Sequence, residues 1–249
     1  MDLELSGRVV FISGSYRGTG EGVAKVLARE GAHVLVHGFT PDEPGRVVGE
    51  IRAAGGRADG VVGDLTTDDG AARAVDDARR AAAQVDVLVN NYGVAEGGFG
   101  WLDGSTRDWL AIYEKNVLSA VRLTQAFVPG MRTRGFGRVI FVGTIGSARP
   151  GPRMPHYYAS KAALPNMTVS LAKELARTGV TVNLVSPGLI ATREVRERFS
   201  EERLRENPSG AICTPEDVGN LIAYLASPLS RSVNGANLRI DGGSADCVN

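Results

Sequence analysis

Tyr157 and Lys161 stand four residues apart at the head of a run, Ala162 to Ala176, whose apolar residues recur at helical spacing. On a helix that spacing puts two side chains on one face, with Cβ atoms about 5–6 Å apart. A phenol alone titrates at about pH 10, too weak an acid to trade protons at neutrality. A nearby ammonium favours the phenolate, so the spacing predicts a lowered phenol pKa and a group able to give or take a proton. The pair could equally share an ordinary solvated face. Composition gives the lysine weight: the 28 cations include only Lys25, Lys115, Lys161 and Lys173 as lysines, so a chain that prefers Arg has placed a tunable amine here.

A second chemical stretch is Ser13-Gly14-Ser15-Tyr16-Arg17-Gly18-Thr19-Gly20. Glycines between a strand and a helix permit a tight turn and let backbone N–H groups approach a pyrophosphate at the helix N-terminus. The spacing is Gly-x-x-x-Gly-x-Gly, and no Gly-x-x-x-x-Gly-Lys-Ser/Thr run exists, which excludes that type of ATP site. An acid ending the second strand would bind a ribose 2′-hydroxyl. That end reads His37-Gly38-Phe39-Thr40, with no acid until Asp42, while Arg17 could meet a 2′-phosphate. The reading favours NADP(H), with NAD(H) possible.

The elements that must hold these residues alternate. Strands are expected at Arg8–Ser13, His33–His37, Arg57–Val62, Val85–Asn90, Arg138–Val142, Val180–Val185 and Asn237–Ile240. Helices are expected at Gly22–Glu30, Glu43–Ala54, Asp68–Ala83, Arg107–Met131, Tyr157–Arg177 and Pro215–Ala226. Such repetition predicts an α/β fold: one doubly wound, Rossmann-type domain over 1–249, with a parallel sheet of about seven strands and helices on both faces.

Charges balance at 28 against 28, so nothing points to nucleic acid or an anionic membrane. No apolar run approaches the ~18 residues of a membrane span, and the N-terminus lacks signal-peptide features. Cys213 and Cys247 have no metal spacing, and His33, His37 and His156 form no cluster. The expectation is a cytoplasmic protein without a metal.

Taken together, these stretches resemble the short-chain dehydrogenase/reductase family, its 3-oxoacyl-(acyl-carrier-protein) reductase-like members in particular. Besides the Gly-rich loop and Tyr157-x-x-x-Lys161, Asn90-Asn91-Tyr92-Gly93 resembles the family's Asn-Asn-Ala-Gly. Ser186-Pro187-Gly188-Leu189-Ile190-Ala191-Thr192 resembles its Pro-Gly segment, and Asp241-Gly242-Gly243 its C-terminal turn. The resemblance spans essentially the whole chain. It implies that Tyr157 is the proton donor to a carbonyl, or the base in reverse. Lys161 would lower the Tyr157 pKa and hold the nicotinamide ribose, and Asn116 would position a relay water. Asp64 and Leu65 would flank the adenine. Asn91 and Gly93 would lie beside the cofactor with Pro187 and Gly188, and Ile190 and Thr192 would meet the carboxamide. It also implies a small carbonyl or alcohol substrate, and a homotetramer or homodimer built partly through the helices Arg107–Met131 and Tyr157–Arg177.

Two positions depart from the pattern. The family serine 13 residues before the Tyr is Thr144, which keeps the hydroxyl but adds a methyl; Ser147 is its rival. Pro165, inside the catalytic helix, cannot donate to the Lys161 carbonyl and should bend the helix. On the substrate side lie Val94 to Asp103 with Phe99 and Trp101, Ser147 to His156 with Arg149 and Arg153, and a lid at about 190–213. From Thr192 to Asn207 the lid carries five Arg and five Glu, as an exposed amphipathic helix would. Arg149, Arg153 and Arg193 read as surface charges and His156 as a rim residue. The rival reading is a non-catalytic NAD(P)-sensing protein on the same fold.

Overall fold

A computed structural model of the chain describes residues 1–96 and 98–247. Gly97, within the Val94–Asp103 loop, lies outside them, as do Val248 and Asn249. Seven parallel strands form one sheet in the order β3-β2-β1-β4-β5-β6-β7. They are β1 Val9–Ile12, β2 His33–Gly38, β3 Arg57–Val62, β4 Val87–Asn90, β5 Gly137–Val142, β6 Val180–Pro187 and β7 Asn237–Ile240. Helices fill the crossovers: α1 Gly18–Arg29, α2 Gly45–Ala53, α3 Asp68–Ala81, α4 Thr106–Tyr113, α5 Ser119–Arg134, α6 Pro155–Glu174, α7 Arg193–Arg198, α8 Glu201–Leu204 and α9 Pro215–Ala226.

The central strands β1 and β4 read as almost unbroken apolar runs and are buried at every position, because both faces of the sheet are covered there. Val10, Ile12, Val34, Val36, Val87 and Val89 face one layer with α1, α2 and α9. Their neighbours Val9, Phe11, Leu35 and Leu88 face the other, against α3, α5 and α6. β1 pairs β2 on one side and β4 on the other, Val10 lying opposite both Val34 and Val87. The strand order therefore reverses between β1 and β4. In such sheets a crevice opens beyond the carboxyl ends at that reversal, between the Gly-rich turn and Asn91-Tyr92-Gly93.

The helix expected over Arg107–Met131 is interrupted: α4 passes into a π-helical turn, Glu114–Leu118, before α5 continues. Single π turns inside helices recur at functional sites. The one lid helix expected is two short ones, α7 and α8. Thr192 and Ser200 each cap a new start, accepting from Val195 N (3.4 Å) and Arg203 N (3.3 Å). Hydroxyl side chains that bond the backbone in this way start helices more readily than they continue them. α6 runs unbroken past Pro165. Among the described residues no helix is long and apolar enough to cross a membrane.

Candidate active site

A cleft of about 560 Å³ opens at the carboxyl ends of β1, β4, β5 and β6. The Gly-rich turn is its floor. Gly14 and Gly18 hold left-handed backbone (φ 62° and 59°), which L side chains resist. No side chain caps α1, and Arg17 before it is extended, so the first N–H groups of the helix meet no side-chain acceptor. That arrangement suits a pyrophosphate. Gly20 cannot carry a side chain: a Cβ would come within 2.6 Å of Asn91 Nδ2 and of the Gly14 carbonyl.

The two turns are tied together. Asn91 Nδ2 donates to the Ser13 and Gly14 carbonyls (2.9 and 3.2 Å). Ser13 Oγ accepts from Asn91 N and Tyr92 N at 3.0 and 2.9 Å.

His37 is the brace that sequence reasoning missed. Fully buried, its Nδ1 accepts from Gly14 N at 3.0 Å, and its Nε2 donates to the Gly63 carbonyl at 2.9 Å. The ring can play both roles only when neutral, with the proton on Nε2. Burial pushes its pKa down to about 4. The unfolded chain therefore takes up this proton first as pH falls, and stability is lost between the ordinary value of 6.5 and about 4. Complete passage through that window should cost about 3 kcal/mol. Thermal unfolding from pH 7 to 4.5 should show this loss, and it should shrink in His37→Asn; an equal loss in both proteins would refute it. The only signal in the sequence was a histidine where an acid was sought.

At the other end of the cleft stand Thr144, after β5, and Tyr157 and Lys161, on α6. The lysine is buried and donates to the Val142 carbonyl at 3.0 Å. Its burial lowers its pKa to about 8. Tyr157 does not follow the expectation. Burial raises its pKa, while the Thr144 hydroxyl beside the phenol opposes that rise. Desolvation of the phenolate outweighs the attraction expected from the amine. Thr144, not Ser147, is the hydroxyl beside the phenol: Ser147 Oγ donates to the Thr144 carbonyl at 2.8 Å.

Asn116 sits in the π-helical turn, buried behind the cleft. Its Oδ1 accepts from Val94 N at 2.7 Å, and its Nδ2 donates to the Val94 carbonyl (3.0 Å) and Ser160 Oγ (2.9 Å). It joins the strand-four turn to α6.

The cleft gathers Gly14, Tyr16, Arg17, Gly18, Thr19, Gly20, Asn91, Gly93, Thr144, Tyr157, Lys161, Pro187, Gly188, Ile190 and Thr192 from the expected set. Ser15, Asp64, Leu65 and Asn116 do not line it. Ser15 Oγ is spent on the Ile12 carbonyl (2.7 Å), Leu65 is in the core, and the Asp64 carboxylate accepts from Thr66. Tyr92, where the family pattern has Ala, lines the cleft and packs on Phe39 at 4.7 Å. His156 is no rim residue. It is fully buried, donates to the Glu96 carbonyl at 2.7 Å and stacks on Phe99 at 4.0 Å, because α6 begins at Pro155 and turns it inward. Arg149 and Arg193 are paired with Asp246 and Glu197.

This fold, its glycine turn and the Thr144, Tyr157 and Lys161 group define a dinucleotide-dependent dehydrogenase or reductase. The chain belongs to the short-chain dehydrogenase/reductase family. A family model described as enoyl-(acyl carrier protein) reductase matches residues 14–245. The 3-oxoacyl-[acyl-carrier-protein] reductase FabG of Vibrio cholerae is 31% identical over 97% of this chain and 98% of that protein. L-sorbose reductase from Gluconobacter frateurii, solved with NADPH and L-sorbose, has a TM-score of 0.92 at 29% identity, with 100% of both chains covered. A 7α-hydroxysteroid dehydrogenase solved with NADH and 7-oxo glycochenodeoxycholic acid has a TM-score of 0.91 at 30% identity, covering 100% of this chain and 98% of that one.

Proposed function

We propose that the protein is an NADP(H)-dependent oxidoreductase interconverting a carbonyl and a secondary alcohol, with Tyr157 as proton donor or acceptor. The observation that carries the reading is the convergence of Thr144, Tyr157 and Lys161 on the cleft that begins at the Gly-rich turn. When bound, the nicotinamide supplies or accepts the hydride. The chain's residues do the rest. The N–H groups opening α1 would hold the pyrophosphate, and Lys161 would donate to the ribose. The Thr144 hydroxyl donates to the substrate oxygen, and Tyr157 gives that oxygen its proton as the alcohol forms. Asn116 holds the strand-four turn against α6, so that Gly93 and Lys161 keep their separation.

The charged residues lining the cleft are Arg17, Lys161, Glu96 and Glu194, two of each sign. With Arg149 and Arg193 already paired, this supports an uncharged ketone or polyol over an anion. Leu110, Leu118 and Val169 are exposed on α4, the π-helical turn and α6, where the resemblance puts subunit contacts of a homodimer or homotetramer.

Consumption of reduced cofactor with a panel of ketones, ketoses and 3-oxoacyl thioesters, run in parallel with NADPH and NADH, tests the reading. Arg17 is exposed and loosely paired with Glu194 at 3.7 Å, so it can turn to a phosphate. Arg17→Ala should raise the KM for NADPH about tenfold and leave that for NADH within about twofold. Equal KM values in the wild type would end the phosphate argument. No turnover with any carbonyl would favour a sensor.

A further inference from the structure

We infer that Glu43 sets how strongly the protein discriminates for or against a phosphate on the adenosine ribose, by occupying the backbone donors such a phosphate would take. The inference rests on reading the cleft as a nicotinamide dinucleotide site.

Strand β2 ends at Gly38, and the next two N–H groups, Phe39 and Thr40, leave the sheet. One carboxylate oxygen of Glu43 accepts from both, at 2.5 and 3.2 Å. The Glu43 N–H in turn donates to the Thr40 carbonyl at 3.2 Å, so residues 40 to 43 close a turn back onto the strand. The side chain lies flat against the strand end: a Cβ on Gly38 would come within 2.8 Å of the Glu43 Cβ. The sequence has no acid at the end of β2. The fold returns one there in space, with its charge held by two backbone donors.

This corner borders the cleft. The Phe39 ring lies between Tyr92 (4.7 Å) and Tyr16 (6.4 Å), both of which line it, and the Arg17 guanidinium sits over Tyr16 at 5.4 Å. Arg46, the other cation here, is committed to Glu21, Glu50 and the Tyr16 carbonyl. Among the described residues a ribose phosphate would therefore find one adjustable cation, Arg17. It would also find two backbone donors already held by a carboxylate of its own sign. A ribose hydroxyl carries no charge and escapes the repulsion. Glu43 thus penalises the phosphate alone, and the net preference is Arg17's attraction set against Glu43's occupancy.

Calorimetric titration with 2′,5′-ADP and 5′-AMP tests this, because these fragments never reach Tyr157. Glu43→Ala removes charge and acceptor; Glu43→Gln removes the charge but keeps an acceptor for the turn. The 2′,5′-ADP affinity should rise about tenfold in Glu43→Ala and about threefold in Glu43→Gln, with 5′-AMP within about twofold. Should Glu43→Ala fail to melt cooperatively, Glu43→Gln decides. An unchanged ratio of the two affinities, with both fragments bound, overturns the role of Glu43 and leaves the dinucleotide site standing. Failure of the wild type to bind either fragment overturns both.

Discussion

Tyr157→Phe should lower turnover by about a thousandfold while NADPH still binds, since positioned general acids contribute roughly 10²–10⁴. The substitution removes one oxygen. The ring stays packed beside Tyr158, with centroids 5.4 Å apart, so α6 has no reason to move. What disappears is the proton that the proposed mechanism delivers to the substrate oxygen. Burial keeps that proton on the phenol well above neutrality. On the proposed reading Tyr157 would therefore stand ready as the donor in reduction, and oxidation would have to begin by stripping it. The comparison belongs below pH 8 or so, where Lys161, whose pKa burial lowers to about 8, still carries its charge. Single-turnover rates separate chemistry from release, and quenching of protein fluorescence reports NADPH binding. More than a tenth of wild-type turnover in the variant would remove Tyr157 from the mechanism.

The direction of that pKa shift also marks where the sequence ran out. Four-residue spacing placed Tyr157 and Lys161 on one face, and the structure agrees. Spacing cannot say whether a phenol meets an ammonium or a desolvating wall. Here the amine turns to the Val142 carbonyl, a group 19 positions away that no local pattern reveals. The centre of the sheet was legible because β1 and β4, buried on both faces, read as short apolar runs, and the more exposed β3 and β7 were still found to the residue. Ends that depend on capping were not. α1 begins at Gly18, earlier than expected, because glycines hide a helix start. His37 and Glu43 escaped for one reason: their partners, Gly14 and Gly63 for the one and Phe39 and Thr40 for the other, are backbone atoms, which leave no mark on composition.

Gly93→Ala should cost about a hundredfold in turnover with only a few degrees of melting temperature, a split that separates positioning from folding. An alanine Cβ there would lie 2.6 Å from Lys161 Nζ and 3.1 Å from Asn116 Oδ1. Both atoms would have to give, and they do not give equally. Asn116 is held at both ends of its amide, by Val94 and by Ser160. The lysine is held at its tip by a single carbonyl, so its ammonium moves and α6 stays. A displacement of about 1 Å in a positioning group is enough to cost a hundredfold, because the bound geometry supplies much of the rate. Gly93 also lines the cleft, so the added methyl and the displaced amine disturb the same end of the site. The measurement pairs kcat with thermal melting, and with NADPH affinity to show that the Gly-rich turn still binds. Turnover within about threefold of wild type would mean that the ammonium works from more than one place, and that its packing against Gly93 is incidental to the chemistry.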